Sequence, residues 1–108
     1  MIKASKVVFI SEELEKDFHM LKEDDPIKKA MKRAINDLRE NAFTGIQIPK
    51  RLMPKEYVQK YGINNLWKYD LPRGWRLLYT VTTDNEVELI SAILEWFDHK
   101  NYERKFGY

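Results

Sequence analysis

Leu66 to Phe106 reads LWKYDLPRGWRLLYTVTTDNEVELISAILEWFDHKNYERKF, and this stretch decides the fold. From Leu66 to Leu71, the apolar Trp67, Tyr69 and Leu71 alternate with Lys68 and Asp70, the two-residue period of a half-buried strand. Pro72-Arg73-Gly74 follows, with proline's preset φ and, two places on, the residue type that enters left-handed backbone space freely. A three-residue hairpin loop fits it. Pairing Leu71 with Trp75 then sets Asp70 opposite Arg76, on the face away from Trp67, Leu71, Trp75, Leu77 and Tyr79. This register presents Arg76 to solvent instead of burying it. A second turn at Thr83-Asp84-Asn85 leads into Val87–Leu94, apolar on both faces apart from Glu88 and Ser91, which suits a central strand covered on both sides.

Outward from this core, Lys6–Ile10 is a short β-branched and aromatic run that predicts a first strand. Ser11 is placed to cap a helix whose Leu14, Phe18 and Leu21 form one apolar stripe, with His19 off the stripe and at the surface. Asp25-Pro26 starts a second helix, in which Ile27, Ala30, Met31, Ala34, Ile35 and Leu38 recur at helical spacing. Thr44–Asn64 is irregular, broken by Gly45, Pro49, Pro54 and Gly62, with a short helix predicted from Pro54 to Tyr61. Asp98 caps a last helix from His99 to Lys105, and His99, Tyr102 and Phe106 share one face of it. The structural reading of that face is packing against the sheet. The expected architecture is α+β: two N-terminal helices on one face of a small antiparallel β-sheet, a short C-terminal helix, and a single domain over residues 1–108.

Composition narrows the function classes. At 108 residues, 44% hydrophobic and 33% charged, the chain is globular and large enough for a core. No apolar run approaches the roughly 20 residues that span a bilayer, and the N-terminus has no apolar run long enough for a secretory signal, so the expected address is the cytoplasm. The absence of Cys excludes disulfides and thiolate metal sites, and two His eighty positions apart argue against a His-based one. Net charge is +2 but unevenly spread: residues 43–76 carry seven bases, Lys50, Arg51, Lys55, Lys60, Lys68, Arg73 and Arg76, against Glu56 and Asp70. A solvated basic face is the structural reading of this patch, and a polyanion site the functional one.

The string RGWRLLYTVTTDNEVELISAIL, with the two amphipathic helices ahead of it, resembles the RelE/ParE superfamily of small toxins from type II toxin–antitoxin modules, over nearly the whole chain. In that family a strand with a basic residue precedes a tight turn, an aromatic-Arg-apolar-apolar-Tyr segment, an apolar strand and a C-terminal stretch with a His or Arg and a Tyr. Lys68, Trp75-Arg76-Leu77-Leu78-Tyr79, His99 and Tyr102 stand at those places. RelE-like members cut mRNA in the ribosomal A site without metal or cofactor, whereas ParE-like members share the fold and inhibit DNA gyrase.

The resemblance therefore implies a ribosome-dependent endoribonuclease whose partners are a cognate antitoxin and mRNA on the ribosome, with no membrane and no metal. Its alternatives are a ParE-like toxin binding a protein target such as gyrase, and a solitary RNA- or protein-binding relative. By the same resemblance Arg76 would hold the scissile phosphate, Lys68 would stabilise charge or lower a hydroxyl pKa, and Tyr102 would stack on or orient a base, while His99, the nearby imidazole, is the candidate general acid or base. Lys50, Arg51, Lys55, Lys60, Arg73, Lys100 and Arg104 are the remaining expected RNA contacts. Two positions depart from the pattern: Asp70 stands where RelE has a second lysine, and Trp96 where a further arginine is expected. Asp70 facing Arg76 also permits a plain cross-strand ion pair.

Overall fold

Local signals start each element. Lys6–Phe9 forms strand β1. Ser11 caps helix α1, Glu12–Met20, its Oγ accepting from the Leu14 N–H at 3.1 Å. Asp25 caps α2, Pro26–Glu40, its Oδ1 accepting from the Ile27 N–H at 2.8 Å while Pro26 fills the first helical position. The chain continues through β2 (Ile46–Gln47), α3 (Lys55–Tyr61), β3 (Trp67–Asp70), β4 (Arg76–Thr83), β5 (Leu89–Phe97) and α4 (His99–Phe106). This computed structural model describes residues 2–83 and 88–107. The expected turn at Asp84-Asn85, and Val87 at the start of the last strand, lie outside them.

The architecture is α+β, as the patterning predicts. β3 and β4 pair in the predicted register, with Trp67 opposite Tyr79 and Asp70 opposite Arg76. Across the loop the Leu71 N–H donates to Trp75 O at 2.8 Å. That loop uses two left-handed residues, Arg73 at φ 61° and Gly74 at φ 79°.

Two expectations need correction. The sheet, in the order β1-β5-β4-β3-β2, is mixed and not antiparallel, because β1 lies parallel to β5 with Lys6 opposite Ile90 and Phe9 opposite Ile93. β5 has an outer edge of amides and carbonyls to pair, and β1 fills it; alternation along a strand is the same for either direction, so the sequence pattern does not distinguish them. Helices also cover both faces, not one. Phe18, Met31 and Leu38 pack with Leu77, Tyr79 and Ile93 on one side. Tyr57 of α3 and Tyr102 of α4 pack with Leu66, Leu78, Leu94 and Phe97 on the other. A strand apolar on both faces requires two covers, and the irregular segment supplies part of the second. Among the described residues no helix is long and apolar enough to cross a membrane.

β5 runs on to Phe97 and carries a bulge. Leu78 faces Glu95 but Tyr79 faces Ile93, so Leu94 is an extra residue without a partner in β4. Beyond the bulge Trp96 points to the α1/α2 side, against Phe9 and Phe18, while Phe97 points to the α3/α4 side.

Two polar anchors tie the connections down. The fully buried Tyr79 hydroxyl donates to Ala42 O at 3.0 Å and accepts from the Gly45 N–H at 3.0 Å, holding the α2–β2 link on the sheet. Burial pushes that hydroxyl up to about 12. Lys28, buried on α2, donates to Leu21 O at 2.9 Å and to Glu23 Oε1 at 2.5 Å, closing the acidic turn between α1 and α2. Hydrogen bonds from Lys28 and then Lys32 pull the Glu23 carboxyl down from 4.5 to about 2.

Replacing Tyr79 by Phe is expected to cost about 1–3 kcal/mol in urea unfolding, because it leaves a buried carbonyl and N–H without their partner. The Glu23 carboxyl titrates lower in the folded chain than in the unfolded one, so it stabilises the fold above pH 4.5 and loses that contribution as pH falls towards 2. The stability difference between the natural chain and Glu23→Gln, followed by denaturant unfolding across that range, is expected to shrink towards zero at its acid end.

Candidate functional site

The register that sets Asp70 opposite Arg76 also sets Arg76 opposite Phe97 on its other side. Two residues beyond Phe97 the chain starts α4, capped by Asp98, whose Oδ1 accepts from the Asn101 N–H at 2.9 Å. One helical turn on, Tyr102 drops its ring onto Phe97 at 6.0 Å and under Phe106 at 4.5 Å. Two cations meet that ring: Arg76 lies with its Cζ 5.3 Å, and Lys68 with its Nζ 5.6 Å, from the Tyr102 centroid. Neighbouring strands and one helix therefore bring Lys68, Arg76 and Tyr102, far apart in sequence, to one spot.

The state of each side chain differs from the sequence expectation in ways that matter. Arg76 lies on the predicted face but is not presented: α4 roofs it, leaving 17% of its side chain exposed. Its Nε lies 3.0 Å from Asp70 Oδ1, yet that nitrogen is buried and makes no hydrogen bond, so the contact is an ion pair by distance without an aligned N–H. Its Nη1 donates to Trp75 O at 3.2 Å. Tyr102 is 4% exposed, so its ring is packed between α4 and the sheet and is not an open platform for a base. His99 keeps 55% of its side chain exposed and pairs through Nε2 with Glu103 Oε1 at 2.5 Å, one turn along α4. Its Cβ abuts the hairpin loop: a Cβ placed on Gly74 would come within 2.9 Å of His99 Cβ.

The other expected RNA contacts separate. Arg73 is exposed on the hairpin loop, and Lys100 and Arg104 are exposed on α4. Lys50, Arg51 and Lys55 rim a groove of about 440 Å³ with Met53, Val58 and Ile63, on another part of the surface. Lys60 lies with its Nζ 5.3 Å from the Tyr61 ring, beside a different cavity. Trp96 is committed to the α1/α2 core, so no side chain at that position reaches Arg76. Among the described residues, no three His, Asp or Glu side chains are grouped so as to hold a metal ion.

A second polar cluster has no counterpart in the sequence reading. The Tyr57 hydroxyl donates to Glu95 Oε2 in a short hydrogen bond, and Lys105 Nζ lies 2.8 Å from Glu56 Oε1 and 3.8 Å from Glu95 Oε2. Burial, then the Glu95 hydrogen bond, pushes the Tyr57 hydroxyl far above its ordinary range. Burial disfavours the charge on Lys105, but its bond to Glu56 and the charge of Glu95 outweigh this and raise its pKa. The cluster opens on a cavity of about 280 Å³ and ties α3, β5 and α4 together. The only signal for it in the chain was a lone carboxylate, Glu95, closing an apolar run.

Gly74 combines a positive φ with the close approach to His99, so Gly74→Ala is expected to cost about 1–3 kcal/mol and to displace the first turn of α4. Urea unfolding reads the first effect, and the NMR position of the His99 ring protons reads the second. Compared with protein-family models, curated proteins and solved structures, the chain gives no match.

Proposed function

We propose that this chain is the toxin of a type II toxin–antitoxin module, a cytoplasmic, ribosome-dependent mRNA endoribonuclease. The observation that carries this reading is the convergence of Arg76 and Lys68 on the Tyr102 ring, beside the turn of α4 that bears the exposed His99. Two cations against one ring suit the extra negative charge on phosphorus when it is attacked. The resemblance in the RGWRLLY segment supplies the reaction class.

In this reading the 2′-hydroxyl of one nucleotide attacks its own 3′-phosphate. The P–O5′ bond to the next nucleotide breaks, leaving a 2′,3′-cyclic phosphate and a free 5′-hydroxyl. The 2′-proton leaves to a base and a proton reaches the departing 5′-oxygen, so no external reagent is consumed. Arg76 and Lys68 hold the non-bridging phosphate oxygens. His99 handles a proton: with Nε2–H directed at Glu103, Nδ1 is the nitrogen left to accept one. The Tyr102 ring positions both cations. The partner is an antitoxin whose acidic segment covers this basic surface, with the groove at Lys50, Arg51 and Lys55 within its reach.

A second reading is a ParE-like toxin that binds a protein target without cutting RNA. The burial of Tyr102 favours it, since a buried ring offers no face to a base.

Labelled mRNA in a reconstituted translation reaction separates the two. The nuclease reading expects cuts on translated message only, reduced at least about 100-fold by Arg76→Ala and strongly by His99→Gln. Intact message at micromolar protein, with growth inhibition in cells that survives His99→Gln, sinks it and leaves the protein-binding reading.

A further inference from the structure

Asp70 places its carboxylate against the guanidinium that the proposed reaction needs. Its position is not accidental to a mobile side chain: the β3–β4 register, locked by Leu71 N–H to Trp75 O at 2.8 Å, puts it directly across from Arg76. Its Oδ1 lies 3.0 Å from Arg76 Nε, but the buried Nε–H makes no hydrogen bond. Asp70 thus neutralises Arg76 without satisfying its fork, while 54% of the Asp70 side chain stays in water. An arginine serving only to hold the hairpin together would be expected to meet its carboxylate side-on through two aligned N–H groups. Here the Nε–H is left without an acceptor, and the guanidinium meets the same ring as Lys68.

We propose that Asp70 is an internal competitor for the phosphate site at Arg76. It lowers the affinity of Arg76 for a phosphodiester, so that a free RNA strand is released and only a strand positioned by further contacts is retained. Asp70 is then a specificity-determining residue, not a catalytic one, and this role rests on the reading that Arg76 receives a phosphate. Two negative groups cannot both occupy one guanidinium at full strength, and the exposed carboxylate is the one free to turn away.

The test is a double-mutant cycle read by fluorescence anisotropy. The probe is fluorescein-labelled hexauridine carrying 2′-O-methyl groups at every sugar, which binds but has no hydroxyl to attack with. The natural chain, Asp70→Asn, Arg76→Ala and the double variant are titrated at about 50 mM salt, where phosphate contacts are strong. Circular dichroism confirms that each is folded. Asp70→Asn is expected to tighten binding about threefold to fivefold in the natural background, the range an exposed ion pair supports. In the Arg76→Ala background it is expected to change binding by less than about 1.5-fold. Equal tightening in both backgrounds is a long-range charge effect and overturns the proposal. So does binding that Arg76→Ala weakens but Asp70→Asn leaves unchanged, and that result keeps the phosphate at Arg76. Binding indifferent to Arg76→Ala, or no binding by any of the four, removes the phosphate from Arg76 and overturns both readings.

Discussion

One extra residue in β5 sets the geometry on which the site depends. Without the bulge at Leu94, strict alternation would send Glu95 and Phe97 to the α1/α2 side and Trp96 to the α3/α4 side. With it, Leu94 and Glu95 both serve the α3/α4 side, where Glu95 accepts from Tyr57 and meets Lys105, and Phe97 gives Tyr102 an apolar neighbour. Trp96 is released to pack edge-on against Phe18, 6.3 Å between centroids, which helps close the opposite core. A single backbone irregularity thereby commits both faces of the sheet.

The second constraint is that α4 is held by cations over aromatic rings as much as by apolar burial. Lys68 and Arg76 lie over Tyr102, and Lys105 lies with its Nζ 5.3 Å from the Tyr57 ring. Each contact is worth about 0.5–1 kcal/mol when exposed and about 2 when desolvated. Arg76 belongs to the desolvated end, and its charge is offset there by Asp70. The cations gathered on this face are therefore also those that dock the last helix.

The N-terminal half lies on the other side of the sheet from these rings and braces it from behind. α1 and α2 cover the far face, and Lys28 seals their connection by taking the end carbonyls of α1 and the Glu23 carboxylate. Tyr69, one residue before Asp70, donates from its hydroxyl to Asp37 of α2, so the strand that carries Lys68 and Asp70 is pinned from behind. Burial, then this bond, pushes the Tyr69 hydroxyl up to about 12, which keeps it a neutral donor through the physiological range.

What the chain alone determined is local. The caps at Ser11, Asp25 and Asp98, the hairpin at Pro72-Arg73-Gly74 and the register that faces Asp70 with Arg76 were all legible, because each rests on residues within a few positions of one another. Tertiary structure decided the rest. The parallel seat of β1 depends on which edge lies open, and alternation carries no direction. The burial of Tyr102 and the partial burial of Arg76 depend on where α4 lands, which follows from a bulge that no residue near Leu94 announces. The Tyr57, Glu95 and Lys105 cluster joins α3 to β5 and α4, with Tyr57 and Glu95 38 positions apart. Periodicity tells a strand which face is apolar; only packing decides which cation meets which ring, because that requires groups distant in the chain to compete for the same space.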